Sequence, residues 1–246
     1  MPTVAELTEL YGNFMVGPRP GPDICDVCFT FTEDHDRCFV CGQQNSSLDA
    51  VAPISYSVAG GQLHHALAGY KRLGGEVARR LQVEVAAVLW RFLAEHEACV
   101  ARSAAATTFD LVTTVPSSSR ERDERHPLRR IVGELAHPTR DRYERLLTRS
   151  SAVVPERALD PGKYEVARPL SGEAVLLIDD TWTTGSGAQS AAAALREAGA
   201  GPVAAVVIGR YVKRGWRENE RRLHALTRPF DWTSCAWHTQ DKPTSM

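Results

Sequence analysis

The sequence lacks a strong excess of either charge, and it lacks a long apolar run. Its 246 residues carry a formal net charge of −1, so no overall basic field favours nucleic acid as a partner. No apolar stretch approaches the roughly 20 residues of a membrane-spanning helix. The first 14 residues also lack the basic start and apolar run of a signal peptide. These absences predict a soluble, cytoplasmic protein with no membrane span.

Two common nucleotide-binding motifs are incomplete. A Walker A loop needs a lysine directly after its glycine, and no lysine follows Gly185 or Gly187. A dinucleotide fingerprint that starts at Gly185 has Ser190 where the third glycine belongs. An amidotransferase with an N-terminal cysteine nucleophile is disfavoured as well, because Pro2 follows the first methionine. The sequence therefore argues against these three enzyme classes.

The most informative segment runs from residue 175 to residue 198. An aliphatic run at 175–178 leads into Asp179 and Asp180, and a loop of hydroxyls and glycines at 181–187 precedes an alanine-rich stretch. This order predicts a buried parallel strand that ends in two acids, then a phosphate-sized loop and a helix N-terminus. Carboxylates accept hydrogen bonds from sugar hydroxyls, and successive loop amides bind a phosphate. The segment therefore predicts a site for a phosphorylated sugar; the alternative is a surface turn in which the acids occur by chance.

Strands alternate with helices along the rest of the chain. We predict helices at 76–100, within 128–135, at 188–198 and at 214–226, and strands at 54–58, 109–115, 151–154, 175–178 and 203–208. This alternation predicts an α/β domain with a mainly parallel sheet flanked by helices. A small N-terminal unit, residues 1–55, is expected to precede this domain at residues 56–240, because a turn-rich segment and paired cysteines set it apart.

Residues 175–187 resemble the phosphoribosyl-pyrophosphate signature of type I phosphoribosyltransferases, which is a hydrophobic strand, two acids and then Thr-Thr-Gly. The resemblance implies the fold of that family, with Asp179 and Asp180 binding the ribose hydroxyls at the reaction centre. It also implies that the loop binds the 5′-phosphate through Thr181, Thr183, Thr184, Gly185, Ser186 and Gly187. The family usually has Ser or Thr at the position of Gly187, so one side-chain hydroxyl is lost.

Transfer from this donor expels pyrophosphate, whose negative charge needs Mg²⁺, cationic side chains or fixed amides. The segment after the second predicted strand supplies small residues, which let the backbone approach an anion, and arginines. From it we assign Ser117 and Ser118 to the pyrophosphate, and Arg120 and Arg125 to catalysis. The resemblance places Lys71 beside the pyrophosphate as well. The alternative for each arginine is a solvated loop in which it pairs with a neighbouring acid.

Further motifs are similar to the ComF family, phosphoribosyltransferase-like proteins associated with DNA-uptake competence. That family has a Leu-Lys-Tyr-like motif, a Val-Pro segment before an arginine-rich loop, and an N-terminal four-cysteine element. Here Val115 and Pro116 match the pattern, but Tyr70 and Lys71 stand in the reverse order. No glycine follows Arg125 either. The resemblance implies phosphoribosyl pyrophosphate and Mg²⁺ as ligands, and it leaves single-stranded DNA, DNA-processing proteins and a second copy of the chain open as partners.

Four of the six cysteines form two close pairs. Two residues separate Cys25 from Cys28 and Cys38 from Cys41, with nine residues between the pairs. This spacing predicts a closed tetrahedral zinc site with a structural role. Two alternatives stay open, which are His35 as a competing ligand and four free thiols.

Several other residues do not decide the function. Cys99 is expected to be a small buried apolar residue, and Cys235 has no assigned role. His64, His65 and His126 could act as acids or bases, but without a partner visible in the sequence each is expected to be a surface or packing histidine.

Two functions from different classes fit these observations. The first is an enzyme that binds phosphoribosyl pyrophosphate with Mg²⁺ and transfers the phosphoribosyl group to an unknown acceptor, a glycosyltransferase reaction that relies on positioning and charge stabilisation. The second is a non-catalytic ComF-like accessory or sensor protein in DNA uptake or nucleic-acid processing. The nearly intact signature favours the first, and the altered acceptor-side motifs with the appended zinc element favour the second.

Overall fold

A four-stranded parallel sheet forms the centre of the computed structural model, which describes residues 2–43, 46–155, 157–226 and 228–237. The described residues form the strands β1 (Ala50–Val58), β2 (Leu111–Thr114), β3 (Leu147–Arg149), β4 (Tyr164–Val166), β5 (Val175–Trp182) and β6 (Val203–Val212). The sheet has the order β1-β6-β5-β2 with every neighbouring pair parallel, and β3 pairs with β4 in an antiparallel ribbon. The predicted α/β class with a mainly parallel sheet is confirmed. Because the four strands run the same way, their carboxyl ends lie at one edge of the sheet.

Helices cover both faces of the sheet. The α-helices among the described residues are α1 (Val4–Thr8), α2 (Phe39–Gln43), α3 (Gln62–Arg72), α4 (Gly75–Ser103), α5 (Arg120–Glu124), α6 (Leu128–Arg130), α7 (His137–Arg140), α8 (Ser186–Glu197) and α9 (Asn219–Ala225). The helix α6 continues into a π-helical turn at Ile131–Leu135. One apolar layer holds α3 and α4 against the sheet, and the other holds α8. None of the described helices combines the length and apolar character needed to cross a membrane.

The strand before the paired acids is longer than its sequence predicts. Residues 175–178 are completely buried, as expected for a parallel strand covered on both faces. Pairing with β6 continues as far as Trp182, so Asp179 and Asp180 lie inside β5 and not after it. Because successive strand residues point to opposite faces, the two carboxylates start on opposite sides of the sheet.

Two predicted elements are wrong. Residues 151–154 form no strand, because the strand of this region is β3, which pairs with β4. Val153 is fully exposed, and no strand in the described part of the chain pairs with its backbone. The helix predicted at 214–226 is reduced to α9. Its first half cannot continue as a helix, because Arg217 adopts the left-handed backbone conformation with φ of 49°.

The N-terminal residues are packed onto the sheet domain. β1 begins at Ala50, so the division expected at residue 55 falls within a strand. Upstream, the Nη1 of Arg91 on α4 donates to the hydroxyl of Thr8 at 2.8 Å. Cys25 and Cys28 lie in the same apolar layer as α8. These contacts fix the cysteine-bearing segment against the sheet.

Candidate functional site

An open cavity of about 1400 Å³ lies at the carboxyl edge of β2 and β5, and the last residues of α3 line one side of it. Its position is the one at which ligands bind in open parallel sheets. The lining includes most of the residues that the sequence predicts for a sugar-phosphate site: Lys71, Ser117, Ser118, Arg125, Asp179, Asp180, Thr181 and Thr183. Residues more than 100 positions apart in sequence therefore meet in one place.

Asp180 is the centre of a buried polar cluster in this cavity. Its carboxylate accepts a hydrogen bond from the hydroxyl of Tyr70 and forms an ion pair with the ammonium of Lys71. The Nε2 of His126 lies 3.6 Å from the same carboxylate oxygen. Burial alone would favour the neutral acid, but Lys71, His126 and the Tyr70 hydroxyl together hold the pKa of Asp180 below its usual value. Asp180 is therefore a carboxylate whose charge is already balanced by the protein.

Asp179 has a different environment. It is partly exposed to the cavity, and its Oδ1 accepts a hydrogen bond from the Asp180 amide at 2.8 Å. Burial, and then repulsion by Asp180, raise the pKa of Asp179 to about 7. Desolvation, and then the charge of Asp179, raise the phenol pKa of Tyr164 to about 12. The two neighbouring acids thus offer one stable carboxylate and one that titrates near neutral pH.

Residues 181–187, called the signature loop below, are the last two residues of β5, a connection at 183–185 and the first two residues of α8. Gly185 has φ of +82°, and a Cβ atom there would lie 2.1 Å from Cζ2 of Trp182, so only glycine fits. The helix α8 begins directly afterwards with the amide of Ser186, which donates to the Thr184 hydroxyl at 3.4 Å. Its 12 residues direct the positive end of the helix dipole at this loop.

The signature loop faces two separate spaces. Thr181 and Thr183 line the large cavity, whereas Thr184 lines a narrow recess beside the cysteine-bearing segment. A Cβ atom on Gly187 would meet the Tyr164 hydroxyl at 3.4 Å and a Val115 methyl at 3.6 Å, which is ordinary contact distance. The glycines of the loop are therefore packed against neighbouring side chains, whereas Thr181 and Thr183 are accessible from the large cavity.

The loop after β2, residues 116–119 and called the serine loop below, is anchored by an acid that the sequence reasoning missed. Oδ1 of buried Asp123 accepts the Ser117 amide at 3.1 Å, and Oδ2 pairs with Arg145 at 3.1 Å and Arg129 at 3.8 Å. Two arginines of this region thus serve the structure.

The cationic lining differs in part from the prediction. Arg120, predicted to be catalytic, starts α5 but is not among the residues that line the cavity, whereas Arg72 and Arg122 are. Arg125 lines the cavity and lies 3.6 Å from Glu121, both highly exposed. In the part of the chain that the structure describes, neither Arg72 nor Arg122 has a carboxylate within ion-pair distance. These two side chains are cations that an anionic ligand could bind.

The four paired cysteines converge. Their Sγ atoms all lie within 4.8 Å of one another, and those of Cys28 and Cys38 are 3.8 Å apart. Hydrogen bonds from the other three thiols lower the pKa of Cys25 far below its usual range, and the same interactions raise that of Cys41. Four thiolates at these distances would repel one another, so a cation is needed to hold them together. This four-cysteine cluster could hold a metal ion and is consistent with structural zinc; His35 is not part of it.

Arg210, at the end of β6, connects this cluster to the signature loop. It is buried, and its Nε donates to the Cys28 carbonyl at 2.8 Å while Nη2 lies 3.6 Å from the Cys28 sulfur. Its Nη1 donates to the carbonyls of Trp182 at 3.1 Å and Thr183 at 3.2 Å. Sequence reasoning overlooked this residue, although an arginine within an apolar strand pattern signals a buried charge that needs partners.

Comparison of the chain with protein-family models and with curated proteins finds no match.

Proposed function

We propose that the protein binds phosphoribosyl pyrophosphate with Mg²⁺ and transfers its phosphoribosyl group to an acceptor. The observation that carries the proposal is the meeting of two carboxylates, the signature loop and the serine loop around one cavity at the carboxyl edge of the sheet. A sugar that carries hydroxyls, one phosphate and one pyrophosphate has a complementary group for each of these three elements. Under this proposal, the domain has a type I phosphoribosyltransferase-like fold and is similar to the ComF family.

Each element has a role in the proposed complex. Asp179 and Asp180 accept hydrogen bonds from the ribose hydroxyls, and the signature loop binds the 5′-phosphate through its amides and hydroxyls. The serine loop and the cations Lys71, Arg72 and Arg122 face the pyrophosphate. These residues hold the anomeric carbon at a fixed place, so that an acceptor approaches it in one orientation.

The proposed reaction is a displacement at the anomeric carbon. The acceptor's nucleophilic atom forms a bond to this carbon, and the bond to the pyrophosphate oxygen breaks. The electron pair of that bond leaves with pyrophosphate, and the acceptor releases its proton to water in the open cavity. Charge accumulates on the leaving group, where the cationic lining stabilises it. Mg²⁺, when bound with the donor, would add further charge neutralisation, and the oxygen of Asp179 is a ligand type that this ion prefers.

Isothermal titration of the full chain with phosphoribosyl pyrophosphate and Mg²⁺ tests the proposal. We expect saturable binding by the wild type and its loss in the combined Asp179→Ala and Asp180→Ala variant. Asp141→Ala, a change at an exposed acid that does not line the cavity, is the control and should bind normally. Circular dichroism of the variants shows whether they fold, and the single change Asp179→Asn serves if the double variant does not. Absence of wild-type binding would overturn the proposal.

A second candidate is a protein that binds the donor without turning it over, as an accessory or sensor in DNA uptake or nucleic-acid processing. One observation favours it. Asp180 is already paired with Lys71 and Tyr70, so a ligand must displace these partners before it can use the carboxylate fully.

The two candidates differ in the release of pyrophosphate. Steady release in the presence of donor, Mg²⁺ and a panel of amine and nucleobase acceptors supports the enzyme, and tight binding without release supports the sensor. A gel-shift assay with single-stranded DNA across salt concentrations tests the partner, since phosphate contacts weaken steeply with salt. No shift at low salt would exclude direct DNA binding.

A further inference from the structure

A second cluster of metal-binding side chains is formed by residues that are not part of the four-cysteine cluster. His96 and Cys99 belong to α4, three residues apart, so both side chains lie on the same face of the helix. Cys235 comes from the C-terminal segment, more than 130 residues later in the chain. One ligand atom from each of the three lies within 4.8 Å of the other two. We call this the thiol–imidazole cluster.

The orientation of His96 suits a metal ligand. Its Nε2 lies 2.7 Å from the carbonyl oxygen of Trp232. A carbonyl only accepts, so Nε2 carries the ring hydrogen and Nδ1 is the nitrogen whose lone pair a metal would use. Histidine ligands in metal sites almost always donate their other ring N–H to such an acceptor, which fixes the tautomer and the ring plane.

The surroundings also fit a bound ion. Cys235 is 9% exposed and belongs to the apolar layer formed by α4 and the sheet, and Cys99 packs against that layer. His96 is 2% exposed, and its ring lies 5.1 Å from the ring of Phe92 in the same layer. Cys235 also borders a cavity of about 400 Å³ between the N-terminal turn-rich segment and the C-terminal residues. That cavity gives an ion access to the Cys235 thiol and room for a water as a fourth ligand.

We propose that His96, Cys99 and Cys235 bind a second metal ion, of the borderline-soft divalent class that Zn²⁺ represents. Two thiolates and one imidazole are a ligand set that Zn²⁺ accepts, with one coordination position left for solvent. The ion would tie the C-terminal segment to α4. That segment has its own contacts with the helix, since the Arg91 guanidinium lies 4.5 Å from the Trp232 ring. The proposal does not depend on the proposed function.

Metal content of the full-length protein, purified in zinc-supplemented buffer and desalted, tests the second site. We expect two zinc ions per chain in the wild type and one in the combined Cys99→Ser and Cys235→Ser variant. Glu95→Gln, an exposed change on the same helix, should retain both ions. A wild-type content of one ion per chain, unchanged in the double variant, would overturn the proposal.

Cobalt substitution gives an independent readout. The charge-transfer absorption of cobalt–thiolate bonds should fall by about a third in the double variant, because two of the six thiolates are removed. The remaining signal, together with an unchanged circular dichroism spectrum, would show that the double variant is folded. An unchanged cobalt spectrum, or a disulfide between Cys99 and Cys235 found by mass spectrometry of protein kept under reducing conditions, would contradict the second site.

Discussion

At the scale of single residues, two adjacent acids have opposite electrostatic settings. The Lys71 ammonium and the Tyr70 hydroxyl hold the pKa of Asp180 below its usual value, whereas partial burial and then repulsion by Asp180 raise the pKa of Asp179 to about 7. Pairs of carboxyls whose environments separate their pKa values often divide tasks in a site. The separate pKa values predict that Asp180 stabilises the local structure through Lys71 and Tyr70, and that Asp179 changes its protonation with pH and with ligand binding.

Donor binding should therefore depend on pH through Asp179. The carboxylate, and not the acid, is an acceptor for two ribose hydroxyls, so affinity should rise with pH through about 7 and be about tenfold weaker at pH 6 than at pH 8. Titration calorimetry across this range measures the slope, and Asp179→Asn corrects for protonation of the donor's own phosphates. Equal slopes in the wild type and Asp179→Asn would contradict this role.

The raised pKa of Asp179 has the opposite effect on the stability of the ligand-free protein, which should fall as pH rises. The folded state holds the Asp179 proton more tightly than the unfolded state does, so this group's stabilising contribution is complete below the ordinary pKa of 3.8 and is lost as pH rises to about 7. Urea unfolding at several pH values should show a steeper fall over this window in the wild type than in Asp179→Asn.

Removal of the Lys71 ammonium should destabilise the fold through Asp180. Lys71→Met leaves a buried carboxylate without its closest cation, and because the lysine is 30% exposed we expect a loss of about 1–3 kcal/mol, below the cost at fully buried pairs. Adding Asp180→Asn to Lys71→Met should recover part of this loss. Denaturant unfolding of the four proteins gives the coupling energy, and additive effects would show that the pair does not interact.

At the scale of elements, the signature loop contains two glycines with different constraints. Gly185 has a left-handed backbone and touches the Trp182 ring, whereas Gly187 lies inside the first turn of α8, where a Cβ atom would make ordinary contacts. The glycine that departs from the family pattern is thus the one that the packing does not require.

These two positions should respond oppositely to substitution. Gly185→Ala should weaken donor binding by tenfold or more, because the left-handed backbone costs an alanine about 1–2 kcal/mol and its Cβ would displace Trp182. Gly187→Ser restores a hydroxyl and should strengthen binding by a few-fold, near the roughly 1 kcal/mol of one hydrogen bond. Titration calorimetry compares both with the wild type. Tight binding by Gly185→Ala would show that the loop conformation does not matter.

The sequence predicts those elements whose cause is local. An apolar run with two acids and a glycine loop identifies β5 and the start of α8 because burial, turn and helix signals all lie within 25 residues. The strand expected at 151–154 fails because a strand also needs a partner, and the neighbouring residues of β3 take that place. The roles of Tyr70, Asp123 and Arg210 depend on partners that only the folded chain brings close: Asp180, Arg145 and Cys28. A local sequence pattern does not specify such partners.

At the scale of the whole molecule, hydrogen bonds of one buried arginine, Arg210, connect the four-cysteine cluster to the candidate site. Arg210 donates to backbone carbonyls on both sides, Cys28 on one and Trp182 with Thr183 on the other. Its five donors in a planar fork can serve several acceptors at once. The cysteine-bearing segment thus supports the signature loop, in addition to its own folding, and Arg210 is a positioning residue for the proposed ligand.

Arg210→Lys should separate these two roles. A lysine keeps the positive charge but offers a single ammonium in place of the fork, so it cannot reach the Cys28 and Thr183 carbonyls together. We expect the metal content of the four-cysteine cluster to persist, donor affinity to fall about tenfold, and amide hydrogen exchange to accelerate in the signature loop. Arg217→Lys, at an exposed ion pair with Glu33, is the matched control and should change none of these. Unaltered hydrogen exchange at residues 183–186 in Arg210→Lys would mean that the loop is positioned without this arginine, whatever the donor affinity.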